Sequence, residues 1–199
     1  MTERTPLLIA TTNAGKVAEL ADAVASAGRF KVLGLRDMPP APEVIESAAT
    51  FEGNARLKAE AYAAHFAVPC LADDSGLCVD ALAGAPGVYS ARYAGLGASD
   101  EANWRKLLAD LSDTSERSAH FVCALAFTVP GAATAVFEGR CSGSITMAPR
   151  GTHGFGYDCV FEPTDSALTL AEMQPAAKRR MSHRAKALAA WLTTLNAAR

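Results

Sequence analysis

The chain has 199 residues, half of them hydrophobic and 20% charged, with a formal net charge of −2. That length and composition suit one domain, or one domain with a lobe, around a sizeable core. The near-neutral balance excludes bulk attraction to nucleic acid or an anionic membrane, but leaves room for a small anion in a local basic pocket.

In chain order, residues 7–11 predict a short apolar strand. A turn, Thr12-Asn13-Ala14-Gly15, leads to a helix over residues 16–27, with Val17, Leu20, Ala21 and Val24 on one face. Residues 31–35 predict a second strand, and 38–44, with three prolines, a loop. Thr50 opens a second helix that runs to about Phe66 and is ended by Pro69. Residues 69–72 read as a buried strand that stops at Asp73 and Asp74, since a strand interior does not tolerate two bare charges. A glycine- and aromatic-rich loop fills 84–97, and Ser99 caps a helix to about Leu111. Residues 118–129 and 134–147 predict strands joined at Pro130-Gly131. Residues 151–158 form another glycine-rich loop, and 182–197 a final helix burying Leu188, Trp191, Leu192 and Leu195. The pattern is α/β with a mixed sheet, in a single domain over 1–199.

Five groups of residues carry chemistry. Thr11-Thr12-Asn13-Ala14-Gly15-Lys16 joins a strand to a helix N-terminus, where backbone N–H groups and the helix dipole favour an anion and Lys16 adds charge. It is not a Walker A loop, because position 17 is Val. Asp73 and Asp74 repel each other and are most easily held by a divalent cation or a proton; the bland alternative is a solvated turn capped by Ser75-Gly76. Glu46, and Asn54 with Lys58 on one helix face, join that site only if the fold brings them there. In Gly154-Phe155-Gly156-Tyr157-Asp158 a ring over a glycine-lined loop makes a shelf for a flat base. Ser182 is a good N-cap, which places His183 and Arg184 where the dipole disfavours cations and a bound polar ligand would offset that cost.

Taken together these segments resemble the inosine/xanthosine triphosphate pyrophosphatase family, which acts on deaminated purine nucleoside triphosphates. The match lies in Thr11-x-Asn13-x-Gly15-Lys16, Thr50-Phe51-x-x-Asn54-Ala55-x-x-Lys58, Ala72-Asp73-Asp74-Ser75-Gly76, Gly84 to Tyr93, Gly154 to Asp158, and Lys178 with Ser182-His183-Arg184. The resemblance implies an elongated central mixed β-sheet flanked by helices, with two lobes around a deep nucleotide-binding cleft. It implies Mg²⁺-dependent hydrolysis of inosine, deoxyinosine and xanthosine triphosphates to monophosphate and pyrophosphate, by a homodimer. Thr11 to Lys16 would hold phosphate, with Lys58 and Lys178 adding charge; Asp74 would be the general base and a metal ligand, and Glu46 the second metal-side acid. Ser75, Phe155, Gly156, Tyr157, Asp158, Lys178, His183 and Arg184 would contact the nucleotide, with His183, Arg184 and loop N–H groups as donors to the 6-keto oxygen. Thr12, and Cys159 after the aromatic loop, depart from the family pattern.

Competing readings are a pyrophosphatase for modified pyrimidine nucleotides, a nucleotide sensor and a P-loop NTPase. The aromatic loop, the retained acids and the failed Walker match count against them in turn. Five cysteines without a CxxC predict free thiols in a reducing cytosol. The opening residues lack a signal segment, and no apolar run approaches the ~18 residues of a membrane span. A cytoplasmic protein is expected.

Overall fold

The computed structural model describes residues 4–197. Six strands form one mixed sheet in the order β2-β1-β3-β4-β5-β6. They are β1 (Thr5–Ile9), β2 (Phe30–Gly34), β3 (Cys70–Val79), β4 (Ser118–Thr128), β5 (Ala135–Ile145) and β6 (Phe161–Pro163). β1 pairs in parallel with β2 and with β3, and β5 pairs antiparallel with β6. The helices are α1 (Ala14–Ser26), α2 (Phe51–Phe66), α3 (Asp100–Asp110), α4 (Pro175–Met181) and α5 (His183–Ala197).

The chain divides into two compact units, one of residues 4–74, 123–138 and 187–197, the other of 75–122 and 139–186. Strands β3, β4 and β5 each pass from one unit into the other. In the first unit, one apolar group gathers Leu7, Ile9, Leu20, Val24, Leu71, Leu125 and Trp191. Trp191 lies between Phe30 and Phe127, with ring centroids 5.8 and 5.4 Å away. A second group collects small residues of α2, Ala55, Ala59 and Ala63, on the alternate residues of β1, β3 and β4. The second unit has its own core around Leu77, Leu107, Leu111, Phe121, Tyr157 and Phe161.

Local chemistry explains most boundaries. Asn13, Thr50 and Ser99 cap α1, α2 and α3 by accepting from Lys16, Gly53 and Ala102 N–H at 3.0–3.1 Å. α2 ends where Ala67 turns left-handed, at φ 53°. Ser182 separates α4 from α5, and its Oγ accepts from Ala185 N–H at 3.2 Å.

One expectation changes, and two elements went unread. β3 does not stop at Ala72 but continues through Asp73, Asp74 and Ser75 to Val79. A strand interior keeps both charges because lysines from α1 and α2 meet them, as described below. The segment 175–181, given no element above, is a helix started by Pro175. β6, only three residues long, pairs with the end of β5 and is too short for a periodic signal.

Candidate functional site

In the first unit, β1 ends at Ile9, and Ala10 N–H still bonds the Leu71 carbonyl at 2.9 Å. β3 runs on past that point, so Asp73 and Asp74 overhang the carboxyl end of β1. This is where open α/β sheets bind ligands. The turn from β1 to α1 uses two of its own donors: Asn13 N–H goes to Thr11 Oγ1 and Lys16 N–H to Asn13 Oδ1. Ala14 and Gly15, first in the helix, have no intrahelical acceptor. Lys16 reaches forward, its Nζ 2.5 Å from Asp73 Oδ1.

From α2, Lys58 Nζ donates to Glu46 Oε1 at 2.6 Å and to the Asp73 carbonyl at 2.7 Å, and lies 3.8 Å from Asp74 Oδ1. One helical turn earlier Asn54 Oδ1 accepts from Ala48 N–H at 2.9 Å, fastening the strap that carries Glu46. Asp73, Asp74, Asn54 and Lys58 are all buried. Burial pushes the Asp74 carboxyl above its usual range; Lys58 and Lys16 oppose the shift, Glu46 adds to it, and Asn54 opposes it. Thr11, Thr12, Glu46 and Lys58 line a cavity of about 90 Å³, together with Glu43 and Tyr62. The last two went unread in the sequence, although Tyr62 lies one turn beyond Lys58 on the same face.

In the second unit the glycine-rich loop folds around Asp158. Asp158 Oδ2 accepts from Phe155 N–H at 2.9 Å and from Lys178 Nζ at 2.7 Å. Gly154 has φ +78°, and a Cβ there would stand 2.0 Å from Asp158 Oδ2, so only glycine fits. Lys178 Nζ is 4.8 Å and Arg184 Cζ 5.9 Å from the Phe155 ring centre. Arg184 Nη2 also donates to Ser75 Oγ at 2.8 Å. His183 stacks on Phe121 at 4.7 Å and 10°. Asp158, Lys178, His183 and Arg184 are all buried.

Two residues from distant segments hold this loop. Asp100 accepts from Gly156 N–H at 2.7 Å, and the Ser90 carbonyl accepts from the Tyr157 hydroxyl at 2.8 Å. Burial pushes the Tyr157 phenol up, so it stays a neutral donor, and its ring belongs to the core. The N–H groups of Phe155, Gly156 and Asp158 bond to Asp158 Oδ2, Asp100 Oδ2 and the Phe155 carbonyl. The turn and Asp100 thus engage three of the loop's amides.

The predicted residues thus form two groups, one per unit. Thr11 to Lys16, Glu46, Lys58 and Asp74 make an acid–lysine group; Ser75, Phe155 to Asp158, Lys178, His183 and Arg184 make a cationic aromatic group. Among the described residues no three acidic, histidine or cysteine side chains group as a metal centre. Glu46 and Asp74 are the two carboxylates that Lys58 Nζ approaches, at 2.6 and 3.8 Å.

The model of the Ham1 family matches residues 7–194. The dITP/XTP pyrophosphatase of Geobacillus kaustophilus is 52% identical, over 92% of this chain and 90% of that protein. The dITP/XTP pyrophosphatase of Streptomyces avermitilis is 47% identical, over 92% and 93%. Among solved structures, the Staphylococcus aureus Ham1 protein superposes with a TM-score of 0.89 at 39% identity, covering 98% of this chain and all (100%) of that one. A nucleoside-triphosphatase / dITP/XTP pyrophosphatase from Mycobacterium abscessus gives 0.78 at 45% identity, covering 96% and 100%.

Proposed function

The chain belongs to the Ham1 family, and from that premise we propose that it hydrolyses deaminated purine nucleoside triphosphates, those of inosine, deoxyinosine and xanthosine, to monophosphate and pyrophosphate. The observation that carries the reading is Lys58, whose ammonium lies 2.6 Å from Glu46 and 3.8 Å from Asp74 at the carboxyl end of β1. Two carboxylates and two lysines beside a helix N-terminus suit a polyphosphate and its cation.

Glu46 and Asp74 would hold Mg²⁺. When bound, the ion offsets charge developing on the phosphate oxygens. Asp74 accepts a proton from the attacking water; the water oxygen bonds to the α-phosphorus as the bond to the bridging oxygen of the β-phosphate breaks. Lys16, Lys58 and the first-turn N–H groups of α1 stabilise the departing pyrophosphate. Phe155, with Lys178 and Arg184 over its ring, offers the aromatic surface for the purine. His183 and Arg184 donate to a 6-keto oxygen. A 6-amino group would set donor against donor, at a cost of about 1–3 kcal/mol per unpaired group.

Asp74→Asn tests the proton assignment: nucleotide binding should persist while kcat falls by about 10²–10⁴. Near-wild-type turnover of deoxyinosine triphosphate would reject it. Product analysis with and without Mg²⁺ tests the reaction itself, because diphosphate plus phosphate would reject the pyrophosphatase reading. A homodimer and a cytoplasmic location belong to the same proposal. No helix among the described residues is long and apolar enough to cross a membrane, and the five cysteines are free thiols. Sedimentation tests the dimer.

A further inference from the structure

The two acids of β3 are consecutive yet serve different helices. On one face of the sheet Leu7, Ile9, Leu71, Cys123 and Leu125 pack with residues of α1 and α5. On the other, Leu8, Ala10, Cys70, Ala72, Ala124 and Ala126 pack with α2. Alternation gives Asp73 to the first face and Asp74 to the second. Asp73 has no exposed surface, so it is not placed to touch a substrate. It touches Lys16 instead. Its Oδ1 is 2.5 Å from Lys16 Nζ, and its Oδ2 accepts from the Cys123 thiol at 2.9 Å.

We infer that Asp73 and Cys123 are positioning residues for Lys16: the carboxylate holds the ammonium at the mouth of the turn, and the thiol, donating from the neighbouring strand, fixes the carboxylate's rotation. A lysine on a flexible four-carbon stem is a poor electrostatic catalyst unless something holds it before reaction. Asp73 holds Lys16 from inside the protein and leaves its side chain 15% exposed toward solvent. The inference rests on the reading that Lys16 acts on phosphate.

Asp73→Asn then has two effects of opposite sign. The ammonium loses its neutralising partner, so attraction for a triphosphate is kept or strengthened and KM does not rise. It also loses its fixed place beside the departing pyrophosphate, so kcat falls. A general loss of folded enzyme would not lower KM, nor would it depend on Lys16.

The test is a double-mutant cycle on deoxyinosine triphosphate hydrolysis, with melting temperatures as a check on folding. Lys16→Ala should lower kcat/KM by about 100-fold. Asp73→Asn should lower kcat by about tenfold with KM unchanged or reduced. In the Lys16→Ala background the same change should cost less than about twofold. Cys123→Ala should reproduce part of the kcat loss, and Cys123→Ser, which keeps a donor, should restore most of it. If Lys16→Ala keeps wild-type kinetics, the phosphate role of Lys16 is wrong. If Lys16→Ala is impaired but Asp73→Asn costs as much in its presence as in its absence, the phosphate role stands and the positioning role is overturned. Should Asp73→Asn fail to fold, the Cys123 variants carry the same cycle, and additive losses there overturn the proposal equally.

Discussion

Replacing Lys58 by methionine keeps most of the side-chain volume and removes only the ammonium. In the structure that ammonium meets Glu46 at 2.6 Å, the Asp73 carbonyl at 2.7 Å and Asp74 at 3.8 Å. At 3.8 Å and an effective dielectric of about 20, the attraction to Asp74 alone is about 4 kcal/mol before desolvation is counted. Removing one partner of a buried pair costs about 3–5 kcal/mol, because the other charge stays behind. The Glu46 side chain is 30% exposed and can turn to water, which places the loss at the lower end, about 3 kcal/mol. For a chain of this size that lowers Tm by about 6–12 °C, measurable by calorimetry. Mg²⁺ should then stabilise Lys58→Met more than the parent, because Glu46 and Asp74 no longer have the ammonium between them. A fall of less than about 2 °C, or equal stabilisation of both proteins by Mg²⁺, would refute the reasoning. The first would mean the lysine does not offset buried acid, the second that the two carboxylates do not share a cation.

Gly154→Ala puts a Cβ against Asp158 at a left-handed backbone position; strain of about 1–3 kcal/mol should open the aromatic loop and raise KM several-fold, and unchanged kinetics would reject the tight-turn account. Arg184→Ala should weaken hydrolysis of inosine triphosphate more than that of inorganic triphosphate, and equal losses would move Arg184 from base to phosphate. Burial pushes the Cys70 thiol up to about 12, so alkylation at pH 8 should label this cysteine only after denaturation. Rapid labelling of the native protein at Cys70, read by peptide mass, would contradict its burial.

The turn into α1, the helix caps and the loop Gly154 to Asp158 were legible in the sequence because glycines and caps are local signals, while Glu46 and Lys58 entered only through the family resemblance. Their partners were not. Asp100 reads as an ordinary first-turn acid of α3, and nothing in its neighbours announces that it accepts from Gly156 across 56 positions. Cys123 reads as a core thiol in an apolar strand, and its bond to Asp73 spans 50 positions. The course of β3 was misjudged for the same reason. Two adjacent charges end a strand when read alone, and the lysines that keep them inside belong to helices 57 and 15 residues away. α4 was hidden because it has only seven residues, and its one buried lysine, Lys178, finds its acid 20 positions upstream.

The alternation of β3 makes strand register a determinant of the chemistry. Ile9 pairs with Leu71, and two residues later the side chains commit Asp73 to one helix and Asp74 to another. A one-residue slip would exchange the two acids, offering Asp73 to Lys58 and Asp74 to Lys16. Every residue of the site would still be present, and the site would not. Variation in this stretch is therefore constrained in length before it is constrained in composition. A substitution at Leu71 or Ala72 disturbs the core but keeps both acids on their faces, whereas a single inserted or deleted residue between the β1 pairing and Asp73 would act as a null mutation.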